Sequence, residues 1–181
     1  MSEVQERYRK HTVIQGQAYV TRDDIVLTTL LGSCIAACIC DREAGVGGMN
    51  HFLLPGEATH GLGGRSESYG AYLMELLING LLKKGARRHC LEAKVFGGAR
   101  TMELMSDIGS RNAEFALDFL RTEGISCVTV DVGGMRGRRI EYWPQTGRSR
   151  RLLMDEKVAL QALPKSVPIK APPTLGEVEF F

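Results

Sequence analysis

The chain has 181 residues, 44% of them hydrophobic and 24% charged, with a formal net charge of +2. That length suits one domain with a sizeable core. The near-neutral total gives no electrostatic case for nucleic acid or a membrane surface. Five cysteines at irregular spacing (Cys34, Cys38, Cys40, Cys90 and Cys127) do not form the framework of a small secreted domain.

Residues 1–11 are polar and read as loose, with no h-region of a signal peptide. Thr12 to Val20 and Ile25 to Leu30 alternate as strands do. Two apolar runs, Ile35 to Cys40 and Val46 to Leu54, flank the turn-like Asp41-Arg42-Glu43-Ala44-Gly45 and read as a hairpin that Pro55-Gly56 ends. A hairpin centred near Glu43 sets Ile35 opposite His51 and Cys34 opposite Phe52. Cys34 and His51 then become cross-strand or diagonal neighbours, within reach of each other.

Gly61 to Gly64 reads as a flexible loop. Tyr69, Tyr72, Leu73, Leu76, Leu77, Leu81 and Leu82 recur at helical spacing, with Ser66 or Ser68 as cap and Gly85 at the C-terminal end. Leu91 to Phe96 reads as a strand, about Ser110 to Glu123 as a helix closed by Gly124, and Ile125 to Val132 as a strand. Arg138 to Trp143 and Arg148 to Leu153 form a second hairpin around Pro144-Gln145-Thr146-Gly147. The arginines of 136–139 and 148–151 make one basic region, a solvated face or a site for an acidic partner. From Pro164 the chain is Pro-rich, and it ends Leu175-Gly176-Glu177-Val178-Glu179-Phe180-Phe181. The expected organisation is a domain over 1–163, then a linker and hydrophobic tail over 164–181. The mixed order of elements predicts an α/β or α+β domain, with mixed β-sheets flanked by helices, rather than a βαβ series. No apolar run reaches the roughly 20 residues of a membrane helix, and a reducing cytoplasm is the expected location.

Four Gly-Gly pairs occur, at 47–48, 63–64, 97–98 and 133–134. Plain turns explain them, or close backbone approach around a narrow pocket. No phosphate-binding glycine motif is present. Cys34, Cys38, Cys40 and His51 match no common zinc spacing. Cys38, Cys40, Cys90 and Cys127 read as small buried hydrophobes, His11, His60 and His89 as exposed, and Trp143 as core.

The motifs Leu31-Gly32-Ser33-Cys34, Gly47-Gly48-Met49-Asn50-His51-Phe52-Leu53-Leu54-Pro55, Ala93–Ala99 and Asp131–Gly134 resemble, in the same order, the bacterial chemotaxis CheD family. The likeness runs from about Thr12 to Leu153. It implies a chemoreceptor glutamine deamidase, a fold of mixed sheets with flanking helices shared with cytotoxic deamidase toxins, and no metal or organic cofactor. It implies methyl-accepting chemoreceptors as substrates and a CheC-type phosphatase as partner. An adaptor for such a partner, or another cysteine amidohydrolase, peptidase or transglutaminase, is the alternative. The family's catalytic Cys falls on Cys34 and its His on His51. Its Thr, six positions before the Cys, falls on Thr28, with Thr29 beside it. A thiol is a poor nucleophile until deprotonated, and an imidazole can take its proton. Thr28 is expected to orient that imidazole through its hydroxyl. A thiolate–imidazolium pair is expected to attack a carboxamide, with the backbone N–H of Cys34 and a neighbour in Gly32-Ser33 binding the oxyanion.

Overall fold

The computed structural model describes residues 9–54, 63–100 and 108–154. The strands are β1 (Arg9–Thr12), β2 (Gln17–Thr21), β3 (Ile25–Leu31), β4 (Ile35–Asp41), β5 (Val46–His51), β6 (Glu92–Gly97), β7 (Ser126–Val132), β8 (Arg138–Trp143) and β9 (Arg148–Leu153). The helices are α1 (Gly63–Lys83) and α2 (Ile108–Thr122). The described strands form two mixed sheets, ordered β1-β3-β8-β9 and β2-β5-β4-β6-β7. Both helices cover one face of the second sheet, and the first sheet covers the other. This is the α+β domain expected from the mixed element order.

Strand β4 lies at the centre, and its alternation explains the layers. Ile35, Ala37 and Ile39 point into the cluster under the helices, with Leu73, Leu77, Leu81 and Leu120. Ala36, Cys38 and Cys40 point the other way, into the space between the sheets, with Leu27, Leu31, Met49, Phe96 and Tyr142. A strand buried on both faces must be apolar throughout, and every residue of β4 is buried. Asp41, at its end, is charged and fully buried, and Arg87 holds it at 3.1 Å.

Both helices end as their glycines predict. Gly85 (φ +93°) donates to the Leu82 carbonyl while the Ala86 N–H donates to Leu81. Gly124 (φ +67°) repeats the arrangement with Arg121, and Ile125 with Leu120. In each case the crossed pair of bonds satisfies carbonyls that the last turn would leave bare.

Several expectations are corrected. Thr12 to Val20 is not one strand: β1 joins the first sheet, parallel to β3, and β2 joins the second, antiparallel to β5. Residues 9–11 therefore belong to a strand and not to a loose terminus. Gly63 and Gly64 belong to α1, so the helix begins before Ser66 and Ser68, which lie within its first turns and not at its start. Tyr69, Tyr72 and Leu76 stay exposed, and Met74 and Ile78 complete the buried face instead. His11 is half-buried and stacks on Tyr19 at 3.9 Å. The Pro-rich linker, the terminal Leu175–Phe181, and His60 lie outside the described residues.

The first hairpin is shifted by one residue. Its turn, Arg42–Gly45, has four residues, closed by Ala44 N–H to the Asp41 carboxylate and by Gly45 at φ +62°. Its centre therefore falls between Glu43 and Ala44, Cys38 pairs with Met49, and Ile35 faces Phe52. The same register carried on sets Ala36 beside His51. A one-residue slip moves a whole strand to the other face. With Ile35 opposite it, His51 would share the helix side with Ile35, away from Cys34. The observed register brings His51 to the face that Cys34, Ala36 and Cys38 share.

Gly97 ends β6 at φ +117°, and a Cβ there would lie 2.0 Å from the Cys34 carbonyl oxygen. Gly97→Ala is expected to lose about 1–3 kcal/mol to backbone strain alone, and to displace the Cys34 loop. Urea unfolding checks this, and an unchanged midpoint would contradict it.

Candidate active site

The Gly32-Ser33-Cys34 loop leaves β3 and enters β4, passing from one sheet to the other. All three of its carbonyls are tied down. Gly32 O accepts from the Ala99 N–H and Cys34 O from the Gly98 N–H, each at 2.8 Å. Ser33 O accepts from Asn112 Nδ2 at 2.9 Å. Asn112, fully buried on α2, also accepts the Leu54 N–H at 2.9 Å. One side chain thus joins the Cys34 loop to the segment just after His51. Its sequence signal was a lone Asn on the apolar face of a helix, read simply as part of that helix. Asn50 was missed as well. It is buried on the helix side of β5, accepting from Ala37 N–H and donating to the Leu73 carbonyl.

His51 ends β5 and is 6% exposed. Its Nδ1 lies 2.9 Å from Thr29 Oγ1 and 3.4 Å from the Val13 carbonyl oxygen. Thr29 Oγ1 also donates to that same carbonyl, at 2.8 Å. A threonine hydroxyl has one proton, and a carbonyl has none. With its proton on Val13, Thr29 can only accept from His51, so Nδ1 carries the hydrogen. The Nε2 lone pair is left open, and Nε2 is buried without a hydrogen-bond partner among the described residues. This is the tautomer of a base ready to take a proton.

The threonine expectation is corrected by these contacts. The structure sets Thr29, not Thr28, on His51. Successive side chains of a strand face opposite ways. Ile25, Leu27 and Leu31 of β3 point between the sheets, and Thr29 shares their parity. Thr28 lies on the other face, and its carbonyl accepts the Val13 N–H at 2.9 Å.

Cys34 is half-buried and shares the inter-sheet cluster. Its thiol donates to Gln15 Oε1 at 3.5 Å. Burial pushes the thiol up to about 11, opposed in part by the residue's own backbone N–H. Burial pushes His51 down to about 4, opposed in part by the Val13 carbonyl. Both groups are therefore neutral at pH 7. A resting thiolate and a resting imidazolium are both disfavoured here, because each charge would lose its hydration.

The other sequence candidates divide. Cys38 and Cys40 are buried, and burial raises both thiols. The basic region is largely engaged within the fold. Arg138 is 3% exposed and bound to Asp131, Arg151 also pairs with Asp131, and Arg150 pairs with Glu141. Arg148 lies over the Trp143 ring, 5.2 Å from its centroid.

The family model for CheD chemotactic sensory transduction matches residues 53–151. The chain is also 52% identical over 180 residues to a protein of Rhizobium rhizogenes (strain K84), covering 96% of each. It is 53% identical over 176 residues to one of Rhizobium meliloti (strain 1021), again 96% of each, and 50% identical over 182 residues to one of Caulobacter vibrioides (strain NA1000), 97% of this chain and 95% of that protein. The chain belongs to the CheD family. Each of those relatives carries the name probable chemoreceptor glutamine deamidase CheD. The family-model match begins just after His51. Cys34 and His51 lie within the stretch that the full-length relatives cover.

Replacing Thr29 by Ala removes the acceptor for His51 Nδ1 and frees the ring to tilt. Misplacement of a catalytic group by about 1 Å can cost about 10²-fold, and a fall of that order in turnover is expected. Thr29→Ser should recover much of it, and Thr28→Ala should stay near the parent value. Steady-state kinetics on all three variants checks this, and the reverse ranking of the two alanine variants would contradict it.

Proposed function

We propose that this chain is a protein-glutamine deamidase that converts glutamine side chains of methyl-accepting chemoreceptors to glutamate, with release of ammonia. The observation that carries the reading is the hydrogen-bonded chain from the Val13 carbonyl through Thr29 to His51, which leaves the Nε2 lone pair open on the face that Cys34 shares. Membership of the CheD family supports the choice of substrate.

The chemistry follows from the neutral pair. His51 Nε2 takes the Cys34 proton as sulfur attacks the carboxamide carbon, so charge forms only when substrate is bound. The tetrahedral adduct carries an oxyanion, which needs donors in a site with little water. The imidazolium of His51 returns its proton to the departing nitrogen, and ammonia leaves a thioester. Water, deprotonated by His51, adds to that thioester. Collapse of the second adduct releases the glutamate side chain, and the proton returns to sulfur. Carboxamide and water become carboxylate and ammonium, and the enzyme is unchanged.

A protein surface suits the mouth of this site better than free glutamine does. Ile14, 57% exposed, and Tyr69, 39% exposed, flank Gly16 beside Gln15 and the thiol. Exposed apolar side chains near a reactive group fit an apolar surface on the partner. No helix among the described residues is long and apolar enough to cross a membrane. A receptor's cytoplasmic region is the proposed substrate, and the cytoplasm the proposed location. Binding of a CheC-type phosphatase is a further proposed role, resting on family membership alone.

Incubation with a receptor cytoplasmic fragment, followed by peptide mass spectrometry, tests the reaction. Selected glutamines should gain the mass difference between carboxamide and carboxylic acid, with matching ammonia release. Cys34→Ala should reduce both to background, while Cys38→Ala, a buried thiol away from the mouth, should retain activity. Deamidation by pure Cys34→Ala protein would overturn the assignment.

A further inference from the structure

The segment between β1 and β2 crosses from one sheet to the other over the reactive pair. Its backbone is fixed on both sides of Gln15. The Val13 N–H donates to Thr28 O at 2.9 Å and the Gly16 N–H to His51 O at 2.7 Å. Within the segment, the Gln17 N–H donates to Ile14 O at 3.1 Å, and the Ile14 N–H to Gln17 Oε1 at 3.3 Å. Gln15 itself is exposed at the mouth, and its carboxamide meets the Cys34 thiol.

An oxyanion formed at the carbon that sulfur attacks must find N–H donors beside that sulfur. Most of the donors nearby are already engaged. The Gly98 and Ala99 N–H groups hold the Cys34 and Gly32 carbonyls, and Asn112 Nδ2 holds Ser33. The Ile35 and Phe52 N–H groups pair with each other's carbonyls, and the Leu54 N–H is on Asn112. The Cys34 N–H opposes the rise in its own thiol's pKa. It is one backbone donor beside the reacting sulfur. Among the described side chains, the Gln15 carboxamide is the amide in contact with that sulfur whose NH₂ has no acceptor.

We propose that the Gln15 carboxamide is a catalytic residue, the oxyanion donor that acts with the Cys34 backbone N–H. The proposal rests on the deamidase reading and names a donor that it leaves open. In the resting protein Oε1 accepts from the thiol. Once the proton passes to His51 and the S–C bond forms, sulfur has no hydrogen to give. Oε1 then loses its partner, while the new oxyanion calls for a donor. The last torsion of glutamine is broad and roughly two-fold, and an exposed carboxamide can turn its NH₂ toward the oxyanion at little cost. The interaction exists only after addition begins, so it acts on turnover and not on substrate binding.

The test compares wild type, Cys34→Ala, Gln15→Ala and Gln15→Glu on one receptor fragment. It adds a peptide carrying glutamate γ-semialdehyde, whose aldehyde carbon accepts Cys34 sulfur to form a tetrahedral hemithioacetal without turnover. Loss of one oxyanion donor costs about 10²–10³-fold in kcat. Gln15→Ala is expected to show such a fall with KM near the parent value, and weaker hemithioacetal formation. Gln15→Glu, whose carboxylate only accepts, should do no better. Melting temperature should be unchanged, because Gln15 is exposed. A kcat for Gln15→Ala near that of wild type would overturn the proposal, and so would a loss confined to KM. A mass gain at residue 15 in wild type but not in Cys34→Ala would also overturn it, by making Gln15 a substrate of its own chain. A wild type that releases no ammonia and forms no adduct contradicts the deamidase reading itself. An active wild type with an unimpaired Gln15→Ala contradicts the proposal alone.

Discussion

The site depends on one carbonyl oxygen, that of Val13. It accepts from the Thr29 hydroxyl and lies within reach of His51 Nδ1. Because it can only accept, it decides where the threonine proton sits, and thereby which nitrogen of His51 stays open. Val13 is fully buried and holds the junction between two strands that belong to different sheets. Thr29 lies on β3, Cys34 between β3 and β4, and His51 at the end of β5, so the pairing of the two sheets is itself what assembles the proposed site. A neutral hydroxyl serves here where a carboxylate would otherwise pull a full charge onto the ring.

Burial then sets the resting charge state. The space between the sheets is filled by Leu27, Leu31, Met49, Phe96 and Tyr142, which leave little to solvate an ion. Thiolate and imidazolium are both disfavoured there, so burial favours the neutral form of each group. A low-dielectric site raises the cost of separating charge, but it also strengthens each fixed dipole that meets the charge as it forms. The loop carbonyls are anchored outward by Gly98, Ala99 and Asn112. That anchoring holds the Cys34 loop in place.

The motif around Cys34, and His51 seventeen residues later, was legible because a hairpin with a short turn limits where two such residues can lie. The turn's exact length was less legible. Asp41 closes a four-residue turn by accepting the Ala44 N–H, and that one residue decides which face His51 takes. The choice between Thr28 and Thr29 depends on the parity of β3. Its mixed run Ile-Val-Leu-Thr-Thr-Leu-Leu has apolar residues on both faces, so pattern alone left the choice open. The break between β1 and β2 was hidden because residues on both sides of Gly16 favour strands. Only sheet assembly sends them to different partners. The basic region looked free in the sequence, whereas Asp131 and Glu141 come from other strands to engage it. Gln15 and Asn112 carry no local signal, since their importance arises from contacts 19 and 79 residues away along the chain.

The most direct measurement of the account is the protonation of His51, read by ¹⁵N-detected NMR of imidazole-labelled protein as pH is varied. At pH 7 the ring should be neutral, with hydrogen on Nδ1 and an open lone pair on Nε2. It should accept its second proton only near about pH 4, because burial opposes the charge. A ring with hydrogen on Nε2 at pH 7, or an imidazolium already formed there, would contradict the account.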